Sequence, residues 1–328
     1  MTGSVSAIGK MALIRTLNPG SVIAEIDNLS VIRNVFPDYR DEGFMSFDLI
    51  RAKTADGVLL DGSLQRSDGV DNSSSSTVWL LIHGTGSNFY SGGVLQTFAE
   101  QLARGGHSVA RINTRGHDVI SSHSGGAAFE SVSDCVHDLR AWVDELIRRD
   151  FSRVVLVGHS MGGVKAIFSQ AHDPHSSVVA VVGISPPRFC HAEWQSSPQA
   201  APFREHFCRA TELVESGRGG ELMLVQQPLP LWLTAAGFLA KYGPHDEYDF
   251  IPLLPRLTCS TLLIVGTASV ASSPAFESVP EAVRQLQTSQ PHLHLKLVPG
   301  ANTGYSEHLA EPVRLACEWF ASVASGSV

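Results

Sequence analysis

Between Arg153 and Gly163 an apolar run, Val-Val-Leu-Val, gives way without a linker to Gly158-His159-Ser160-Met161-Gly162 and then to a helical stretch from Met161. Short continuous runs of this kind read as strands covered on both faces. Passing straight from such a strand into a helix puts the intervening residue on a strained turn. Both flanking positions must then be small, because a Cβ there would meet the adjoining strand or helix. Gly158 and Gly162 satisfy that demand. The turn is expected to lift the Ser160 hydroxyl above a sheet, with the Met161 N–H at the helix N-terminus facing the same space.

The flanking sequence continues the alternation. Apolar runs at Val78–Ile82, Ser108–Asn113, Val154–Val157, Val178–Ile184, Thr261–Val265 and His292–Val298 predict strands. Helical stretches fall at Val94–Arg104, about Val132–Arg149, near Pro274–Leu286 and around Glu307–Val323. In the second of these Val132, Cys135, Val136, Leu139, Val143, Leu146 and Ile147 recur with the period of one buried helix face. Strands alternating with helices imply an α/β fold with a mostly parallel, doubly wound sheet and right-handed crossovers. Upstream, two apolar runs from Phe47 to Leu64 flank Asp56-Gly57 and predict a hairpin with a two-residue turn. Ser67–Thr77 is almost wholly polar and reads as a surface loop, and residues 1–45 as an irregular lead-in. Residues 187–250 interrupt the alternation at a length far beyond an ordinary connection. Helical patches at Pro202–Ser216 and Leu229–Lys241, with no strand, predict a helical cap inserted into a core formed by 46–186 and 251–328.

Composition narrows the partners. With 43% hydrophobic and 17% charged residues the chain is not intrinsically disordered. Its formal charge is −8 and its 24 Lys and Arg are scattered, so nucleic acid is not an expected partner. No apolar stretch is long enough for a membrane-spanning helix. Five cysteines stand far apart without C-x-x-C spacing, and the N-terminal residues lack the apolar core of a signal peptide, so a cytoplasmic location is expected. Neither metal-ligand spacing nor a nucleotide-binding glycine motif is present, and no cofactor is expected. Asp134 and Asp138, one helical turn apart, read as a solvated face or as partners of the helix dipole. The oligomeric state is left open.

The run Val78–Ile82 ends in His83-Gly84-Thr85-Gly86, a turn whose Thr85 N–H is placed to join that of Met161 as an oxyanion-stabilising pair. His83 is expected to shape that loop. Taken with HGTGSNFY (83–90), INTRGHDVISS (112–122), DCVHDLRAWVD (134–144) and GHSMGGVKA (158–166), the chain resembles the α/β-hydrolase superfamily from the hairpin to the last helix. The resemblance implies a cofactor-independent serine hydrolase with a helical cap, acting on an ester, thioester or related carbonyl of a small molecule, with Ser160 as nucleophile. It also implies an acid after the seventh strand and a histidine after the eighth. Here those slots hold Ser269, in Gly266-Thr267-Ala268-Ser269, and Thr303, in Gly300-Ala301-Asn302-Thr303. The alternative acid position reads Ile184-Ser185-Pro186-Pro187. Neither hydroxyl can take a proton from serine near neutral pH or hold an imidazolium by charge. His308, beside Glu307 and Glu311 at the expected start of the last helix, is the replacement base to examine. His191, His206 and His245 of the insertion and His117 beside Asp118 come after it. His159 is expected to point away from the serine, and His294 belongs to a strand. A lyase, cyclase or isomerase using the same pocket, or a ligand-binding protein without turnover, stays open beside the hydrolase.

Overall fold

The computed structural model describes residues 47–67, 76–121, 125–198 and 200–325; the lead-in at 1–45 and most of the polar loop fall outside them. Strands β1 (Asp48–Lys53), β2 (Leu59–Gln65) and β3 (Thr77–Ile82) are followed by α1 (Val94–Arg104), β4 (Ser108–Ile112) and α2 (Cys135–Arg148). Then come β5 (Arg153–His159), α3 (Met161–His172) and β6 (Val178–Ile184). The segment between β6 and the next strand of the main sheet holds α4 (His191–Ser196), α5 (Ala201–Glu215), β7 (Leu222–Val225), β8 (Leu231–Thr234) and α6 (Ala235–Tyr242). The chain closes with β9 (Ser260–Gly266), α7 (Thr267–Ser272), α8 (Pro274–Glu277), α9 (Val279–Gln287), β10 (Leu293–Val298) and α10 (Glu311–Ala324).

Eight strands form one sheet in the order β1-β2-β4-β3-β5-β6-β9-β10. Six of them, from β4 to β10, run parallel, and the β1–β2 ribbon joins antiparallel at the β4 edge. The pleat sends alternate residues to opposite faces. Along β3, Val78, Leu80 and Ile82 pack into one apolar cluster with Leu139 and Trp142 of α2 and Val164 and Ile167 of α3. Trp79 and Leu81 pack into a second with Phe98 and Leu102 of α1 and Trp319 of α10. Two covered faces explain why these strands read as unbroken apolar runs. Every residue of α3 except His172 is buried, which fixes the helix that follows Ser160 against the sheet. The winding reverses between β3 and β5, and in open α/β sheets the crevice beyond the carboxyl ends of such a pair is where ligands sit. No described helix is long and apolar enough to cross a membrane.

Four local expectations change. The hairpin closes through the five residues 54–58 instead of two, with the Thr54 N–H donating to the Val58 carbonyl at 2.9 Å. That wider loop lets Asp56 accept from both terminal nitrogens of Arg115, at 2.8 and 3.1 Å. The insertion is not wholly helical. Leu229–Lys241 splits into β8 and α6, and β8 pairs antiparallel with β7. Met223, Val225, Leu231 and Leu233 point inward from this ribbon while Leu224 and Trp232 face out, and Pro228 and Pro230 between the strands cannot extend a helix for want of an N–H. The last helix starts at Glu311 with Pro312 in its first turn, a position that tolerates proline, so His308 lies in the preceding turn. Finally, Asp138 is fully buried, not solvated. It accepts the Arg115 backbone N–H at 2.8 Å and the Arg115 Nε–H at 2.9 Å, and Asp134 stands 3.3 Å from the same guanidinium.

Arg115 thus ties the hairpin loop, α2 and the segment after β4 together. Replacing Asp138 with Ala leaves a largely buried guanidinium and the Arg115 N–H without their innermost acceptor while Asp56 and Asp134 stay, a loss of about 1–3 kcal/mol for buried donors left unsatisfied. Urea unfolding of D138A should register a drop of that size, and a loss below about 1 kcal/mol, the range of exposed pairs, would show that the pair carries no such weight.

Candidate active site

Ser160 adopts φ 53° and ψ −123°, a left-handed backbone that side chains rarely take. Its N–H donates to the Ile184 carbonyl of β6 at 2.8 Å. The neighbours explain the glycines. A Cβ on residue 158 would lie 2.1 Å from the Gly162 carbonyl oxygen, and one on residue 162 would lie 2.2 Å from the Ile82 carbonyl oxygen. On the opposite loop, a Cβ on residue 84 would lie 3.3 Å from the Ser160 Cβ. The end of β3, the end of β5 and the start of α3 therefore meet backbone to backbone. Ser160 opens onto a cavity of about 250 Å³ whose walls include Gly84, Thr85, Arg111, His159, Leu229 and Gly304. Thr85 is thus brought to the serine, and Met161 begins α3, where the first amides have no carbonyl one turn earlier to bond.

The two substituted slots find each other. Ser269, buried at the start of α7, and Thr303, on the loop after β10, hydrogen-bond hydroxyl to hydroxyl at 2.9 Å. The loop carrying Thr303 is pinned to the serine turn, because the His159 Nε2–H donates to the Thr303 carbonyl at 2.8 Å. Burial pushes the His159 ring below its ordinary pKa, and this hydrogen bond offsets only part of that. Tyr305 closes the same loop from inside, its hydroxyl 3.0 Å from the Ser185 hydroxyl and donating to the Ile264 carbonyl at 3.1 Å. Both acid positions therefore hold serine hydroxyls, each hydrogen-bonded to another side-chain hydroxyl.

Among the described residues no imidazole stands within hydrogen-bond distance of the Ser160 hydroxyl. His308 is not among the residues lining the cavity, and its Nε2 sits 3.7 Å from where a Cβ on Gly300 would be. His117 donates to Asp118 at 2.9 Å. His191 donates to the Tyr242 carbonyl at 2.7 Å, and His206 accepts from the Gln226 N–H at 2.9 Å. His245 is exposed. His294 packs edge-on against Trp319 with ring centroids 5.9 Å apart. Among the described residues no cluster of three His, Cys, Asp or Glu side chains is placed to hold a metal.

Behind the cavity runs a buried polar chain that the sequence reading missed. His83 donates from Nδ1 to the Gly84 carbonyl at 2.8 Å, and its Nε2 accepts the Thr114 N–H at 3.1 Å. Lys165 of α3 donates to the Thr114 hydroxyl at 2.8 Å and pairs with Glu130. Lys241 of α6 lies 3.7 Å from the other oxygen of that carboxylate. All three charged side chains are buried. Burial drives Glu130 up, but the two lysines outweigh it and hold the carboxyl below its ordinary value. Burial also lowers Lys241, against the pull of Glu130. A Cβ on residue 116 would lie 2.1 Å from the Glu130 carboxylate, so Gly116 leaves room for it. The visible signal was Lys165 itself, a lone cation in an otherwise apolar helical run. Arg111, set between Ala110 and Ile112 in a strand, was the other.

Burial, helped by Lys165, pushes His83 down to about 3, while an unfolded histidine titrates near 6.5. The unfolded chain therefore binds more protons between those values, and His83's contribution is full above about pH 6.5 and lost as pH falls toward 3. A glutamine can keep both hydrogen bonds without titrating. Between pH 6 and 4, urea unfolding of H83Q should lose stability less steeply than the parent, by about 1 kcal/mol per pH unit. Parallel slopes would remove His83 from the acid response.

Solved structures with this architecture are numerous. A dienelactone hydrolase from Anabaena variabilis superposes with a TM-score of 0.51 at 21% identity, covering 84% of this chain and 97% of that one. Est1E from Butyrivibrio proteoclasticus gives 0.57 at 16% identity, with 84% and 99% covered. The Pyrococcus furiosus esterase Pf2001 gives 0.51 at 20%, with 86% and 91% covered. At these identities the likeness is one of fold. No curated protein sequence matches significantly. The family model of the alpha/beta hydrolases matches residues 79–317, from β3 to α10 and through the serine turn. That span, with the eight-stranded sheet and its flanking helices, establishes that the chain belongs to the alpha/beta hydrolase family.

Proposed function

We propose that the chain is a cofactor-independent serine hydrolase or acyl-transfer enzyme that works without a histidine relay. Ser160 is its nucleophile, the Thr85 and Met161 amides stabilise the oxyanion, and residues 187–250 act as a cap. The observation that carries this reading is the strained Ser160 backbone at the cavity wall. Strain of about 1–3 kcal/mol at one residue persists only where its surroundings impose it, and it clusters at functional sites. The insertion supports the cap role by contributing Leu229 to the cavity.

The missing relay sets the substrate class. Losing the serine–histidine unit in a related mechanism costs on the order of 10⁶ in kcat and leaves about 10³–10⁴ over water from binding and the oxyanion hole. Such a residue suits carbonyls that are already activated. A thiolate or phenolate departs with little need of a proton, so thioesters and aryl esters fit better than alkyl esters or amides. A ligand-binding protein without turnover is the second reading, favoured by the Ser269–Thr303 hydrogen bond, which satisfies both slots with neutral groups.

A fluorophosphonate probe should label the parent slowly and S160A not at all. Because the two slot hydroxyls already meet at 2.9 Å, joint replacement by Asp and His should restore a relay. S269D/T303H is expected to hydrolyse p-nitrophenyl butyrate at least about 10²-fold faster than the parent, within the contribution of general-base catalysis. Labelling that survives in S160A, or no gain in the double variant together with ligand binding and no turnover, would favour the binding protein.

A further inference from the structure

We propose that the Ser160 cavity takes a substrate bearing a carboxylate, bound by the Arg111 guanidinium beside the N-terminus of α1. The proposal deepens the serine-hydrolase reading and rests on it for the position of the reacting carbonyl.

Arg111 lies on β4 with its side chain on the α1 face of the sheet, partly buried and lining the same cavity as Ser160. Its Nη2 donates to the Ser91 carbonyl at 2.5 Å. Among the described residues it has no other hydrogen bond and no carboxylate within ion-pair distance. The other inward arginines are fully matched. Arg115 meets Asp56, Asp134 and Asp138, and Arg188 meets Asp249 and Glu193. The described cavity lining contains no Asp or Glu. Nearby acids are engaged elsewhere: Glu100 accepts from Gln96 and faces Arg104, and Asp118 accepts from Asn88, His117 and Tyr90.

The segment that follows Ser91 adds to this positive character. Gly92, Gly93, Val94 and Leu95 at the start of the 11-residue α1 line the cavity. Gly93 offers no capping side chain, and the first turn contains no acid. The positive end of the α1 dipole, with no acid in the first turn to offset it, therefore lies at the cavity. Burial lowers the Arg111 pKa, and Glu100 opposes this. A planar guanidinium with most of its five donors free matches a carboxylate in two-point geometry.

Strand register gives the spacing. Arg111 is level with Leu81, and Leu81 with Val157, three residues before Ser160. Two strand spacings and three residues of rise put the two Cα atoms roughly 14 Å apart. With both residues on the wall of one cavity, a ligand held by Arg111 needs only a short spacer between its carboxylate and the reacting carbonyl. The cavity, at about 250 Å³, suits a small ligand of this kind, such as a monoester or monothioester of a short dicarboxylic acid.

Calorimetric binding to S160A, which cannot turn over through the serine, tests the anion site directly with monomethyl glutarate and its neutral counterpart dimethyl glutarate. The monoanion should bind at least about tenfold more tightly, as a hydrogen-bonded charge pair implies. S160A/R111Q should lose that preference, and S160A/R111K should keep part of it. Equal affinity for the two esters, or a preference unchanged in S160A/R111Q, overturns the proposal. Should S160A/R111Q not fold, the two esters compared on S160A decide alone. An Arg111-dependent preference in a chain whose parent neither reacts with fluorophosphonate nor turns over would sink the serine reading and leave the anion site standing. Labelled Ser160 with no preference would do the reverse.

Discussion

The carbonyl oxygens of Ile82 and Gly162 stand where side chains on residues 162 and 158 would have to begin. This convergence of β3, β5 and α3 sets the position of everything around the cavity. It admits only glycine at both places, and it lets α3 start directly on the end of β5, which forces Ser160 into its left-handed backbone. The strain is held by packing, since α3 is buried along almost its whole length and β5 lies in the middle of the sheet. The reversal of winding between β3 and β5 then opens the crevice at the same point, so the loop carrying Gly84 and Thr85 faces the serine turn.

Around that framework the chemistry departs from what the fold usually carries. Ser269 and Thr303 stand where an ion-paired acid and histidine are expected, and they satisfy one another. His83 is neutral and fully used in loop hydrogen bonds, and His159 is committed to the Thr303 carbonyl. The loops carrying Ser269 and Thr303 are thus held together by neutral groups. Charge has instead gathered on either side of the serine, with Arg111 in the cavity wall and Lys165, Glu130 and Lys241 behind it.

The sheet was legible in the sequence because burial on both faces leaves the parallel strands as short apolar runs, and the glycine pair around Ser160 is a steric requirement that the order of residues between strand and helix displays. The hairpin in the insertion was not legible. Each of its strands is four residues long, too short for alternation to be told from a helical patch, and Leu222, Leu224 and Trp232 on its outer face blur the pattern. Asp138 was misread because spacing along a helix tells which residues share a face and not whether an arginine from another segment meets them. Arg111 belongs to a cavity assembled from the segments after β3, on β4, after β5, in the insertion and after β10, a juxtaposition that only the folded chain provides. The slot hydroxyls were visible by position, but their mutual hydrogen bond was not.

Glu130 serves two ammonium groups, one on the central helix and one on the insertion, and its carboxylate fills the volume that glycine leaves at position 116. A side chain at 116 has to push the shared carboxylate from its place between Lys165 and Lys241. Drift in this loop is therefore not a local matter. One methyl group there has to displace a carboxylate shared by the inserted segment and the helix behind the serine, so tolerance to change at this point is set by the geometry of a single counter-ion.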